Sequence, residues 1–440
     1  MKQYSIYILL LLAYSCTPED SADYTLIKGA TLIDVNELGH SDNDIDNAYI
    51  LLKNGKIEAF GAFDDKVNIP KTSQIIDATG KFMMPALFDG FAALNKQSYC
   101  DAYLQSGVAN IISVDGGRRG IFFGDGNPSP NIYRLEGIGD ESITDEVMLG
   151  QIDSLHSAGY KVLLLMYGLT PKQVAMAQKR ADELEMATIG EMATTTYKEA
   201  MEIGIDAFVH TTRYSLDVAP REVAAAIAKE PFSNDLNSPK WQYYKYLSTL
   251  PADDKALQNH AQNLGASSSF IIPTSSLSYL DLPDHKNPWK EDVARLLKIE
   301  DINRPADPET GNHSIDSVEQ AAYTNLIMNE LKSIEPTYHY HGAKYLAGSG
   351  TDVWGTMPGI SLHTELWILH NKIGLSKREA LAAATSNFSA AFGWKNGKIE
   401  KGFDGNILIL NANPLEDLEN LKGIDRMLLN GVVLGLPGGN

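Results

Sequence analysis

The stretch KVLLLMYGLTPKQVAMAQKRADELEMATIG, residues 161–190, decides the fold class of this chain. It begins with an unbroken apolar run after one lysine, which is typical of a strand buried on both faces of a parallel sheet. Thr170 and Pro171 then supply a helix cap and a first helical residue. We predict that the helix runs to Met186 and that a second strand follows at 187–190. The stretch therefore predicts one β-α-β unit.

The same alternation of strand and helix recurs along the middle of the chain. Further strand candidates with helical patterns between them are found at 108–114, 207–210, 269–273 and 343–347. Repeated units of this kind indicate an α/β fold with a TIM-like (β/α)8 barrel, which we predict over residues 85–397 with an insertion near 230–260. A doubly wound sheet is the alternative, but no glycine-rich dinucleotide fingerprint follows a strand.

Both ends of the chain differ from this middle part because they are rich in short β-type runs. Residues 24–84 contain the dipeptide that begins at Asn54, and residues 398–440 contain the one that begins at Asn430. Each is Asn-Gly, a strong signal for a hairpin turn. Two β-rich ends that enclose a barrel predict one small β-sandwich domain built from both termini.

The first residues have the pattern of a targeting segment. Residues 6–13 are an apolar run that is too short for a membrane span of about 20 residues but suits a signal-peptide core. The small residue before Cys16 resembles a bacterial lipobox, which implies cleavage before Cys16 and lipidation of its sulfur. Tyr14 fits that pattern poorly, so ordinary signal cleavage nearby is the alternative. We predict a signal peptide at 1–15, a tether at 16–23 and export to the bacterial cell envelope as a lipoprotein, periplasmic or outer-membrane anchored.

Composition narrows the classes of partner. The chain has 440 residues, is 44 % hydrophobic and carries a formal charge of 37 − 56 = −19. A surface this acidic repels phosphate backbones, and the chain has no basic patch, so nucleic-acid binding is excluded. Cys16 and Cys100 are the two cysteines, which excludes a disulfide framework and a cysteine-built metal site. We expect a small-molecule partner and membrane contact through the lipid anchor alone.

Four segments that frame the predicted barrel carry a family resemblance. They are DATGKFMMPALFD at 77–89, LAGSGTD at 346–352, EALAAAT at 379–385 and NPLEDL at 413–418. In this order and spacing they resemble the entry to the first strand, the eighth strand, a later helix and the closing segment of the amidohydrolase superfamily, of the imidazolonepropionase and dipeptidase-like kind. The resemblance implies a metal-binding barrel with a flanking β-sandwich.

The resemblance also implies one or two divalent metals at the C-terminal mouth of the barrel, where a metal lowers the pKa of bound water towards about 7. The family's first strand ends in His-x-His, but this chain has Phe91 and Ala93 there, and neither can bind a metal. His210 and Asp352 match ligand positions on the sixth and eighth strands. With Glu191 they form a candidate set for one zinc ion. The alternative is no metal, with His210 and Asp352 as inherited mouth residues or as a metal-free acid–base pair.

Three further residues are candidates for substrate contact. Tyr167 follows the fourth strand, Trp354 follows Asp352 by two positions, and His363 lies in the region after the eighth strand. Substrate-binding residues of such barrels lie after the strands, although packing roles are the alternative for all three. Asp89, in the first strand region, is predicted to be an ordinary turn carboxylate.

Two functions follow from these observations. The first is a divergent hydrolase of C–N bonds in an amide, cyclic amide or dipeptide, with catalytic Asp352 and His210 and an incomplete metal site. The second is a non-catalytic barrel, a pseudoenzyme that binds a small molecule or pairs with an active relative at the cell envelope. A homo- or hetero-oligomer is open with either function.

Overall fold

The structure is a computed structural model that describes residues 24–64, 66–70, 74–114, 122–139, 143–210, 216–230, 235–313 and 317–435. The predicted signal peptide, the tether and Cys16 lie outside these residues. Within the described residues, no helix is long and apolar enough to cross a membrane.

The first sheet is mixed and takes its strands from both ends of the chain. Its strands are β1 (Tyr24–Leu32), β2 (Ile45–Lys53), β3 (Lys56–Ala62), β4 (Gln74–Asp77), β5 (Phe82–Pro85), β14 (Ile407–Leu410), β15 (Ile424–Leu429) and β16 (Val432–Val433). Strand β5 joins the two ends, because it pairs in parallel with β1 and antiparallel with β14. The two Asn-Gly hairpins form between β2 and β3 and between β15 and β16, with Asn54 and Asn430 both at φ 51°.

The second sheet is all-parallel and contains eight strands in chain order. They are β6 (Leu87–Ala92), β7 (Val108–Val114), β8 (Asn131–Ile138), β9 (Val162–Leu165), β10 (Ala187–Gly190), β11 (Ala207–Val209), β12 (Phe270–Ile272) and β13 (Lys344–Tyr345). The first strand meets the chain that follows the last one: the Gly90 N–H donates to the Ala347 carbonyl at 2.8 Å, and the Gly350 N–H donates to the Phe91 carbonyl at 2.8 Å. These contacts curl the sheet into a barrel. The predicted (β/α)8 barrel with a β-sandwich from both termini is confirmed.

Helices cover the outside of this sheet. The described α-helices are α1 (Gln97–Gln105), α2 (Asp145–Ser157), α3 (Pro171–Glu183), α4 (Tyr197–Ile203), α5 (Arg221–Lys229), α6 (Pro239–Leu247), α7 (Lys255–Ala266), α8 (Ser317–Asn329), α9 (Glu335–Tyr340), α10 (Ile360–Ile368), α11 (Lys377–Ala383) and α12 (Ser386–Phe392). Short π-helical segments follow α8 at Glu330–Ile334 and α10 at Leu369–Ile373.

Helix α3 shows how local sequence sets these boundaries. Thr170 and Gln173 form the predicted capping box, in which each side chain bonds the backbone N–H of the other residue. The helix ends at Glu183, earlier than the predicted Met186. The reason is Glu185, whose φ of 54° lies in the left-handed region and turns the chain into β10.

The barrel interior is a closely packed apolar core. One cluster of buried residues fills it, with contributions from every strand except β13 and from Leu346 just after that strand. Phe388 on α12 closes one end, since its ring stacks on that of Phe88 with centroids 4.0 Å apart and planes at 7°. Because the strands of this sheet are parallel, the polar and titratable side chains that follow them lie at the same end of the barrel, the mouth.

Candidate functional site at the barrel mouth

His210 directly follows β11 and is held in one orientation by the next strand. Its backbone N–H donates to the Ile272 carbonyl at 3.0 Å, and its ring Nδ1 lies 2.5 Å from Oγ1 of Thr274. The Thr274 hydroxyl proton is used in a 2.6 Å bond to the Pro273 carbonyl. When the hydroxyl donates to that carbonyl, the Thr274 oxygen accepts from the imidazole, which places the proton of a neutral His210 ring on Nδ1. In the neutral ring this makes Nε2 the acceptor nitrogen.

Phe91, on β6, occupies the space beside this imidazole. The side chain is buried, and its ring meets the His210 ring edge-on with centroids 5.3 Å apart and planes at 79°. Two imidazoles bound to one tetrahedral zinc ion have centroids about 5 Å apart, since each Zn–N bond is about 2.1 Å. Phe91 thus lies at the separation from His210 that a second histidine ligand would have. Ala93 is also buried, and its carbonyl accepts from the Tyr103 hydroxyl at 3.0 Å.

Asp352 lies beyond β13 and is half-buried. Its Oδ2 accepts a hydrogen bond of 2.7 Å from Nδ2 of Asn95, which follows the first strand. The Tyr99 hydroxyl donates to the Asp301 carbonyl at 2.7 Å. Burial first, and then the nearby Asp352 carboxylate, raise the pKa of Tyr99. Asp352 is therefore bounded by an amide and a neutral phenol, both held by the region after β6.

The surroundings of Asp89 differ from the prediction made from the sequence. It was expected to be an ordinary turn carboxylate, but it lies within β6 and is fully buried. Its Oδ1 accepts from the Ser349 N–H at 2.8 Å, which ties the first barrel strand to the last. A carboxylate in the apolar run 86–94 was the signal for such a role, because a buried charge requires specific hydrogen-bond donors.

Glu191 is the third member of the candidate zinc set. It is buried after β10, and its charge is one of the causes, after burial, that raise the pKa of Tyr197 on α4. Among the described residues, which include all three candidate ligands, no group of three or more His, Cys, Asp or Glu side chains could hold a metal ion. Phe91 and Ala93 occupy the positions at which the family resemblance implies two histidine ligands, and neither side chain can bind a divalent metal.

The three predicted substrate residues have different surroundings. Tyr167 follows β9, and its carbonyl accepts from the Thr194 N–H at 2.9 Å. Trp354 is half-buried beyond Asp352, with a φ of 53°. Both positions follow barrel strands and remain candidates for contact with a ligand at the mouth. His363 lies elsewhere: it is on α10, and its Nε2 is 2.8 Å from the carbonyl of Ser106, at the end of α1.

Three further residues near the mouth were not among the candidates from the sequence: Thr274, Asn95 and Tyr99. Thr274 and Asn95 each follow a barrel strand closely, and that placement is the signal that could have found them. Tyr99 lies inside α1, and no pattern in the sequence distinguishes it from a core tyrosine.

Solved structures with the same architecture cover nearly the whole chain. A proposed prolidase from Bifidobacterium longum is 18 % identical, with a TM-score of 0.63, and the match covers 95 % of this chain and 96 % of that one. Bottromycin amidohydrolase is 15 % identical with a TM-score of 0.62, covering 93 % and 86 %. The chain has the fold of the amidohydrolase superfamily. A Xaa-Pro dipeptidase with bound methionine in its active site shares the amidohydrolase fold at 13 % identity and a TM-score of 0.59, covering 94 % and 100 %. No family model and no curated protein matches the sequence.

Proposed function

We propose that the barrel mouth of this protein binds a small molecule and does not carry out metal-dependent hydrolysis. The observation that carries the proposal is the Phe91 ring, 5.3 Å from His210, in the place of a second imidazole. A catalytic zinc site needs about three protein ligands around the metal and its water. A phenyl ring has no lone pair to offer, and it makes this side of the mouth apolar.

The acceptors at the mouth support a class of ligand. Asp352 presents a half-buried carboxylate, and the tautomer of His210 makes Nε2 an acceptor. A net charge of −19 adds a long-range field that disfavours anions. A ligand with N–H donors therefore fits best, such as an amide, a cyclic amide or a dipeptide. The bound methionine of the dipeptidase structure agrees with an amino-acid-like ligand.

Metal content and ligand binding test the proposal together. We expect less than about 0.1 mole of metal per mole of unchelated protein by mass spectrometry, because a structured zinc site would bind tightly. In a thermal-shift screen of dipeptides, cyclic amides and N-acyl amino acid amides, we expect ligands that raise Tm by a few degrees when present at about 100 times Kd. Asp352→Asn should abolish these shifts, since it removes the charge that attracts the donor. One mole of zinc per mole would contradict the proposal.

Metal-free hydrolysis is a second candidate, and the geometry of Asp352 favours it. The carboxylate is held by Asn95 at 2.7 Å and retains the family position that accepts a proton from water. Turnover of an amide library in the presence of chelator, lost in Asp352→Ala, would establish this function and refute the purely binding one. Turnover that is unchanged in Asp352→Ala would remove Asp352 from any mechanism.

The proposed setting is the bacterial cell envelope, with the chain anchored through lipidated Cys16. A lipid anchor would keep the barrel beside a membrane-bound partner, either an active relative or a second copy of this chain. Fatty-acid labelling of the protein in its host tests the anchor. The label should be absent in Cys16→Ser, and equal labelling of both proteins would contradict lipidation at this residue.

A further inference from the structure

A cavity lies outside the barrel. It has a volume of about 780 Å³ and is bounded by the end of α1, by helix α10 and by the connecting segments 286–295 and 416–425. Its lining, among the described residues, includes neither Asp352 nor His210. Pockets for small molecules are commonly about 300–1,000 Å³, so this space is large enough for one independently of the mouth.

One wall of the cavity is aromatic. The rings of Tyr279 and Trp367 meet edge to face, with centroids 5.9 Å apart and planes at 79°. The Lys372 ammonium lies 5.0 Å from the Trp367 ring centroid and 2.6 Å from a carboxylate oxygen of Asp284. The Lys372 ammonium therefore already occupies a position over the Trp367 ring, and neither Lys372 nor Asp284 belongs to the described lining of the cavity.

Two histidines on the same side of helix α10 and its π-helical extension also line the cavity. His363 donates from Nε2 to the Ser106 carbonyl at 2.8 Å, and His370 donates from Nδ1 to the Leu375 carbonyl at 2.7 Å. Burial is the largest cause that lowers the pKa of His363, so its ring is neutral at pH 7. In the neutral ring of His363 with this bond, Nδ1 is a hydrogen-bond acceptor.

The charges of the lining leave an acidic excess. Six acidic and four basic side chains contribute to it. Two of the basic ones are committed to carboxylates: Lys422 lies 2.8 Å from Glu291 and 2.7 Å from Glu419, and Lys286 lies 3.2 Å from Glu419. These two lysines and the carboxylates of Glu291 and Glu419 neutralise one another, and Asp425 is paired with Lys81 at 3.1 Å. The remaining excess of the lining consists of Asp292, Glu416 and Asp417 against Arg295 and Lys377.

We propose that this cavity binds a small organic cation that carries an aromatic ring, an arylalkylamine in the simplest case. The aromatic wall formed by Tyr279 and Trp367 would contact the ring of the ligand. The acidic side chains of the lining and the imidazole of His363 would hold its ammonium group. The site is separate from the mouth, so it does not depend on the function proposed there.

Calorimetric titration of the full chain tests this site with tyramine as the probe. The matched comparison is 3-(4-hydroxyphenyl)propionate, which has the same phenol but a carboxylate in place of the ammonium. We expect tyramine to bind at least ten times more tightly than the anion. We expect Trp367→Ala to weaken tyramine binding about tenfold, because it removes an aromatic face.

A second variant keeps the test decisive if Trp367→Ala does not fold. Asp292 lines the cavity but is exposed, so Asp292→Asn should fold normally and weaken tyramine binding a few-fold through the lost charge. The proposal is overturned if tyramine shows no binding at millimolar concentration or binds no better than the anion. It is also overturned if Asp352→Asn abolishes tyramine binding while Asp292→Asn leaves it unchanged, since that pattern assigns the ligand to the mouth.

Discussion

Replacing both Phe91 and Ala93 by histidine is expected to give the protein one bound zinc ion per chain. The ring of Phe91 already lies 5.3 Å from that of His210, the separation of two imidazoles on one tetrahedral metal. Two added imidazoles, His210 and the Asp352 carboxylate would then supply four donors. Zinc per chain, measured by mass spectrometry after dialysis, should rise from less than about 0.1 to about 1, given the affinity of complete zinc sites.

A matched pair elsewhere in the chain controls for surface histidines. Phe60 and Ala62 have the same Phe-x-Ala spacing on strand β3, and both are exposed. The variant Phe60→His/Ala62→His adds an identical pair without a third ligand and should lose its zinc on dialysis. The Phe91→His/Ala93→His variant could instead retain no more zinc than this control. Restoring the two first-strand ligands would then not be enough to form a zinc site, and the inference from the separation of the Phe91 and His210 rings would be refuted.

Glu365→Gln is expected to stabilise the protein by several kcal/mol at pH 9 and to change little at pH 5. Glu365 lies on α10 with no exposed surface, and its Oε2 accepts from the Ser276 N–H at 2.6 Å. Burial raises its pKa from 4.5 to about 8, although hydrogen bonds from Ser276 and Ser275 oppose that change. The carboxyl group is therefore protonated in the folded protein at pH 7 and ionised in the unfolded chain.

The direction of the pH effect follows from this difference. The stabilising contribution of the protonated group is complete below about pH 4.5, falls as pH rises and is lost above about pH 8, with a total of about 5 kcal/mol. Glutamine keeps the acceptor for Ser276 but has no proton to lose. Urea denaturation at pH 5, 7 and 9 measures the free energies of unfolding of both proteins.

An exposed glutamate provides the comparison for this experiment. Glu222 lies on α5 and is exposed, so Glu222→Gln should leave the pH dependence of the wild type unchanged. Parallel pH profiles for the wild type and Glu365→Gln would refute the assignment of a protonated buried carboxyl group. Glu365 is also connected to the barrel mouth. Its hydrogen-bond donor, Ser276, lies two residues beyond Thr274, and Thr274 orients His210.

Short-range signals in the sequence predicted much of the fold. The apolar run in residues 161–166 and the cap at Thr170 predicted a buried strand and a helix start, and both are present. The boundary at Met186 was wrong because Glu185 adopts a left-handed backbone conformation, which is rare for a glutamate and carries no local signal. The prediction of an ordinary turn carboxylate at Asp89 was wrong for a different reason. Its hydrogen-bond donor, Ser349, lies 260 positions away along the chain.

The sequence by itself determined the barrel, the sandwich from both termini, and the absence of His-x-His at Phe91 and Ala93. These properties depend on periodicity, caps and residue identity, all of which act over a few positions along the chain. Only the tertiary structure decided how the candidate residues are grouped. It placed Phe91 against His210, oriented His210 through Thr274, and put His363 beside a separate cavity rather than with Asp352. The reason is physical: barrel closure and helix packing join side chains that lie tens to hundreds of positions apart, and those distances and tautomers depend on contacts that no local pattern contains.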